Sequence, residues 1–394
     1  MTKIRYFDEP ELAGRLQRAC KGLRAAGLDA VLLFSQESLN YLTGYDTTGY
    51  VFFQCGVLTA DGDITLLTRR PDQAQARDTS TISDIRIWYN TADVNPALEL
   101  KAILLEKKLK GARLGIELDT YGLTAFNYRL VADALDGFCT LEDASNIVRV
   151  LRLVEAPPGL AYTRRAGELA DDALLAMIET AGPGVLDGTV TAAGMSVILS
   201  GGGDMPPDGP IVNSGPRAVY GRSVGGGHVL DPQDQIMIEF AATFARYNVC
   251  IERTVIIGKP DDQHLRMFSA CRDALFAMTE AAKPGRPIGE IDDQHRRVLD
   301  AAGFGAHRYG ACGYSLGNTY RPSWMDAPPM IFSGNPLIAE PGMVFFPHVM
   351  LGDADKRLAI GVGYTIVITE TGCEVLTGGV PKHPDRIEAL MRAA

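Results

Sequence analysis

Two glutamates and a histidine carry the chemistry that this sequence offers. Glu239, in QIMIEFAATF, and Glu252, in NVCIERTVII, fall on the two strands of one predicted hairpin over residues 235–257. Carboxylates on neighbouring strands suit acid–base work: one attacks or activates water while the other pairs with a cationic group. His348, flanked by apolar residues in FFPHVML, adds an imidazole that titrates near neutral pH. The ordinary alternatives are solvated strand carboxylates and a hydrogen-bonded core histidine. Tyr320 and Trp324 belong to a loop containing Pro and Gly. Exposed aromatics in such loops close over a ligand or cation, or simply anchor the loop. His228 follows a run of three glycines and is a further polar candidate, of the kind usually left to solvent.

The elements that must position these groups fall into two parts. Residues 1–155 alternate helical and strand patterns: an amphipathic helix over 11–27, a buried strand over 29–34, a short helix over 38–42, strands over 50–59, 64–68 and 113–117, and helices over 96–107 and 123–134. This is an α/β rhythm, with a mixed sheet covered by helices. Residues 146–155, containing IVRVLRLV, read as a strand, and Pro157-Pro158-Gly159 then marks a break before a long amphipathic helix over 160–179. The second part, 156–394, has the mixture expected of an α+β domain, with helices over 191–199, 262–282 and 288–302 and hairpins over 235–257 and 342–376. The glycine runs beginning at Gly201 and Gly225 lack the strand and helix context of phosphate cradles and read as loops.

The chain has 394 residues and a net charge of -10, which disfavours binding to nucleic-acid phosphates. No stretch reaches the roughly 20 apolar residues that a membrane span needs. The N-terminal text lacks the pattern of a secretory signal. Seven cysteines without a CxxC pair read as reduced thiols, so the expected location is the cytoplasm.

Five separated segments resemble one family: LNYLTGYDTTGY, RLGIELD, QIMIEFAATFARYNVCIERTVIIG, AEPGMVFFPHVML and GYTIVITETGCEVLT. Their order and spacing are similar to the creatinase, prolidase and aminopeptidase P superfamily. The resemblance implies a creatinase-type α/β N-terminal domain, an α+β pita-bread catalytic domain and a homodimer. It also implies five metal-ligand positions, two Asp, one His and two Glu, which here read Glu239, Cys250, Tyr314, His348 and, on or beside it, Gly363. Hard divalent cations need several anionic oxygens at fixed geometry, so the expectation is no dinuclear metal and no other cofactor. A single ion held by Glu239, Cys250 and His348 remains a chemical alternative.

Within the superfamily the IERT segment resembles creatinase, whereas YLTGYD, IEFAA and GYSLGNTYRPSW resemble ectoine hydrolase more. That resemblance implies a metal-independent hydrolase of a non-peptide C–N bond in a small zwitterionic solute. Glu239, Glu252 and His348 would be catalytic, and Arg222, Tyr314, Tyr320 and Trp324 would bind substrate. Arg222 stands where the family places a histidine and suits a substrate carboxylate rather than proton transfer. A metallopeptidase with a reduced site, a lyase of a small solute and an inactive binding module are the competing readings.

Overall fold

A computed structural model describes residues 5–310 and 312–377. The chain divides into two compact units between Arg152 and Leu153, close to the boundary expected after residue 155. In the first unit the helices are α1 (Glu9–Ala25), α2 (Gln36–Thr43), α3 (Gln73–Thr79), α4 (Pro96–Glu106), α5 (Ala125–Leu135) and α6 (Asn146–Arg152). The strands are β1 (Ala30–Leu33), β2 (Cys55–Thr59), β3 (Ile64–Arg69), β4 (Asp84–Trp88), β5 (Arg113–Ile116) and β6 (Thr140–Asp143). They form a mixed sheet in the order β4-β3-β2-β1-β5-β6, the α/β layer expected. Local signals set the helix ends: the Asp8 side chain accepts from the Glu11 amide before α1, and Gly44 takes a left-handed φ of 80° after α2.

Two expectations need correction. Residues 146–152 form a helix rather than a strand. Ile147, Val148 and Leu151 recur at helical spacing and pack into the cluster of Ala19, Leu23 and Leu39, and this burial overrides the β-branched propensity of IVRV. Residues 50–54 precede β2 rather than belonging to it: Gly49–Val51 form a 3-10 turn.

The second unit contains α7 (Pro157–Thr180), α8 (Asp187–Ser200), α9 (Asp262–Ala281) and α10 (Gly289–Ala301). The Pro157-Pro158 pair opens α7 rather than preceding it, since proline at the first helical turn loses no intrahelical bond. Its strands are β7 (Ile211–Ser214), β8 (Asp234–Phe244), β9 (Tyr247–Ile257), β10 (Gly313–Ser315), β11 (Val344–Asp353), β12 (Leu358–Tyr364), β13 (Ile366–Ile368) and β14 (Cys373–Val375). The sheet runs β14-β13-β11-β12-β9-β8-β7, with β10 paired to β11. One core cluster packs α9 and α10 against it and another packs α7 and α8.

The β8–β9 hairpin fixes the geometry that matters most. Phe244 pairs with Tyr247 around a two-residue turn, Ala245-Arg246, with φ of 52° and 68°. Such a turn matches strand twist but strains non-glycine residues, and the Asp204 carboxylate offsets this by accepting the Arg246 amide at 3.0 Å. Counting outward, the turn sets Glu239 opposite Glu252. A one-residue slip of either strand would send its carboxylate to the opposite face. Among the described residues no helix is long and apolar enough to cross a membrane.

Candidate active site

Glu239 and Glu252 face each other across β8 and β9, both buried, Glu252 completely. His348 comes from β11 and donates or accepts through Nδ1 at 3.1 Å from Glu252 Oε2. β12 lies between β11 and β9, and its Gly363 pairs with both His348 and Glu252. The imidazole therefore reaches its carboxylate over the one residue that has no side chain. A Cβ at Gly363 would stand 2.6 Å from His348 Cβ and 2.8 Å from the Phe346 ring. Gly361, two residues earlier, clears space for the Glu252 carboxylate in the same way.

Aromatic rings hold the histidine. Phe346 stacks on it with centroids 5.0 Å apart and planes 18° apart, and Tyr314 meets its edge at 5.8 Å. Tyr314 pairs with Phe346 across β10 and β11. Its hydroxyl donates to Glu239 Oε1 at 3.1 Å and accepts from Trp324 Nε1 at 2.8 Å. Beneath the site Arg253, fully buried, donates to the carbonyls of Glu252 and Gly363 at 2.6 and 2.5 Å, fastening β9 to β12.

These surroundings redistribute protons. Burial, then the Glu252 charge, pushes the Glu239 carboxyl up to about 7, against the opposing pull of His348, the Tyr314 hydrogen bond and Arg222. Burial alone would lower His348, but the hydrogen bond and charge of Glu252, with the charge of Glu239, outweigh it and raise the imidazole above its usual 6.5. Burial holds the Cys250 thiol well above the usual range, so it stays protonated. The result is a carboxyl and an imidazole in one cluster, both shifted upward by their surroundings.

The structure gathers most of the predicted site residues, but not all in the expected roles. Glu239, Glu252, His348 and Tyr314 meet. Arg222 lies on an exposed loop, its guanidinium bonded to the Gly221 carbonyl at 2.5 Å, with its charge felt by Glu239 and His348. Trp324 and Tyr320 are buried rather than exposed loop aromatics. Trp324 hydrogen-bonds to Tyr314, whereas the Tyr320 ring lies 5.3 Å from the Arg246 guanidinium at the hairpin turn. Loop burial leaves no periodic signature, so sequence pattern could not separate these two. His228 bonds to Asp234 at 2.8 Å, five residues and about 17 Å along β8 from Glu239. The sequence reading missed the function of Gly361 and Gly363, although two alternating glycines in a buried strand are the available sign of a close approach.

The five positions that the resemblance assigns to metal ligands do not fit a dinuclear centre. Gly363 provides no ligand and no room for one, and the Tyr314 hydroxyl is engaged on both sides, so two of the five positions are lost to a metal pair. Among the described residues, the groups that bring three possible ligand atoms within 4.8 Å of one another are Asp292, His295 and Cys312, and His228, Asp231 and Asp234. Glu239, Cys250 and His348 are not such a group, which removes geometric support for the single-ion alternative.

Residues 15–154 match the Creatinase/Prolidase N-terminal domain and residues 161–370 match Metallopeptidase family M24. The chain belongs to the creatinase and prolidase family. It is 27% identical to an ectoine hydrolase of Halomonas elongata over 94% of this chain and 96% of that one. A Xaa-Pro dipeptidase of Pyrococcus furiosus is 24% identical over 92% and 97%. In fold, the prolidase of Thermococcus sibiricus superposes with a TM-score of 0.84 at 19% identity, covering 95% of this chain and 98% of that one. The two matches establish a creatinase-type N-terminal domain followed by the pita-bread domain of family M24, a family of hydrolases.

Proposed function

We propose that this chain hydrolyses a non-peptide C–N bond of a small zwitterionic solute, such as a cyclic amidine or guanidino compound, without a metal ion. The observation that carries this reading is the Glu252–His348 contact made over Gly363, because it spends two former ligand positions on an acid–base pair. Glu252 holds Nδ1–H and leaves His348 Nε2 to take a proton from water, as a carboxylate orients an imidazole in other hydrolases. The hydroxide adds to the amidine or guanidine carbon. The Glu239 proton passes to the departing nitrogen as the C–N bond breaks, and transfer of the His348 proton back to Glu239 restores the site. Arg222 pairs with the substrate carboxylate.

The experiment is a thermal-shift screen of compatible solutes and guanidino compounds, followed by mass analysis of any turnover. The proposal expects products that have gained one water; elimination products would make the chain a lyase. Xaa-Pro dipeptide cleavage, the activity named for several relatives, is the second reading. Turnover of Xaa-Pro dipeptides alone, and only with added divalent metal, would replace the first.

The proton positions set a pH dependence. His348 must be unprotonated at Nε2, and its imidazole is raised above 6.5, so the rate climbs with pH through that limb. Glu239 must be protonated, and it titrates at about 7, so the rate falls above neutrality. The expected kcat/KM profile is a bell whose limbs belong to the coupled cluster and whose basic limb falls above about pH 7. A level plateau from roughly pH 5 to 9 would contradict the assignment.

A further inference from the structure

Trp324 lies outside the reacting cluster, yet its chemistry constrains the proton inside it. An indole N–H can only donate, and Trp324 Nε1 donates to Tyr314 Oη at 2.8 Å. With one lone pair of that oxygen occupied from the Trp324 side, the Tyr314 O–H is left with Glu239 Oε1, at 3.1 Å, and the Cys250 sulfur, and it turns to the carboxyl oxygen because a thiol sulfur is a weak acceptor. Oε1 is then an acceptor and cannot hold a proton without facing the phenol proton. Both Trp324 and Tyr314 are buried, so water cannot relieve the arrangement.

We propose that Trp324 is a positioning residue that fixes, through Tyr314, which oxygen of Glu239 carries the acid proton: Oε1 is held as acceptor and Oε2 bears the proton delivered to the leaving nitrogen. This rests on the hydrolytic reading above and deepens it. The proton leaves Oε2, an N–H bond forms on the departing group as its C–N bond breaks, and Glu239 is left as a carboxylate that Tyr314 is already oriented to stabilise. Trp324 never touches the substrate in this arrangement. A tyrosine without the indole partner would rotate its proton freely and accept from Glu239 as readily as it donates.

The groups facing Glu239 are Glu252 and Cys250 from β9, Tyr314 from β10, His348 from β11 and Arg222 from its loop. Only Tyr314 is tied to Trp324 by a hydrogen bond among the described residues, which makes a double-mutant test clean. The Glu239 titration is followed in the substrate-free protein by carboxyl 13C NMR or infrared absorption, using Glu239→Gln to assign the signal. Tyr314→Phe removes the donor and raises the Glu239 midpoint by about half to one pH unit. Trp324→Phe raises it in the same direction by part of that amount, and in the Tyr314→Phe background it adds nothing. A Trp324→Phe shift that persists without the Tyr314 hydroxyl, or no shift in either single variant, overturns the proposal. Where Trp324→Phe unfolds the protein, Tyr314→Phe alone decides: an unmoved midpoint overturns it. The readout needs no substrate, so absence of turnover would count against the hydrolytic reading and leave the proton placement judged on its own result. With a substrate in hand, Trp324→Phe moves the basic limb of kcat upward with little change in KM.

Discussion

Glu252→Gln lowers kcat by about a thousandfold, within the range for loss of a positioned acid–base partner, while leaving the protein folded and at least as stable. The side chain is isosteric and fully buried, and its Oε1 has no hydrogen-bond partner among the described residues. It also faces a second carboxylate, Glu239, in the opposite strand. Removing that charge relieves like-charge repulsion and the desolvation of a buried ion, so the melting temperature holds or rises. Activity falls because the glutamine no longer stabilises the imidazolium or fixes the Nδ1–H tautomer. Burial then dominates at His348 and its midpoint drops, so the acidic limb of any residual activity moves to lower pH. Steady-state rates across pH, with thermal melts, check this. Turnover within tenfold of the parent chain would remove Glu252 from the mechanism.

Gly363→Ala, the addition of one methyl group, costs about a hundredfold in kcat, the scale expected when a reacting group is misplaced by about 1 Å. The new Cβ would stand 2.6 Å from His348 Cβ and within 2.9 Å of the Phe346 ring. These are backbone-anchored or stacked atoms rather than a flexible tip, so β11 and the histidine must move away from Glu252. Overpacking of this kind also costs about 1–3 kcal/mol of stability. Gly182→Ala, where a Cβ meets nothing within 4 Å, is the matching control and leaves both quantities near their starting values. Unchanged kinetics in Gly363→Ala, measured with the melting temperature of each variant, would show that the approach of His348 over the glycine is dispensable.

How much of this was legible in the sequence follows from where each group sits. Glu239 and Glu252 were readable as residues of one hairpin whose segments resemble the family's, whereas their direct pairing needed the Ala245-Arg246 turn, whose residues carry no ordinary turn signal. His348 was readable because β11 has the apolar flanks of a buried strand. Trp324 and Tyr320 were not separable, because the loop that carries them is buried by contacts with no periodic pattern: one reaches back to Tyr314 and the other to the distant Arg246. The helix at 146–152 escaped because β-branched residues mask a helical face only seven residues long. Gly363 was visible as a missing ligand, but its use as a passage for His348 needed the strand order β11-β12-β9, which non-local pairing alone decides.

The altered ligand positions Glu239, Tyr314 and His348 thus enter two facing hydrogen-bonded pairs, Tyr314–Glu239 and His348–Glu252, and Gly363 is the gap that lets the second assemble. The same replacements that withdraw anionic ligands from a metal pair leave a carboxyl and an imidazole that are both raised by their surroundings. The most direct test is turnover of the solute found by the screen, using protein dialysed against EDTA and assayed for bound metal in the same sample. The account predicts full activity with substoichiometric metal. Activity that chelation abolishes, and that a stoichiometric divalent cation restores, would contradict it.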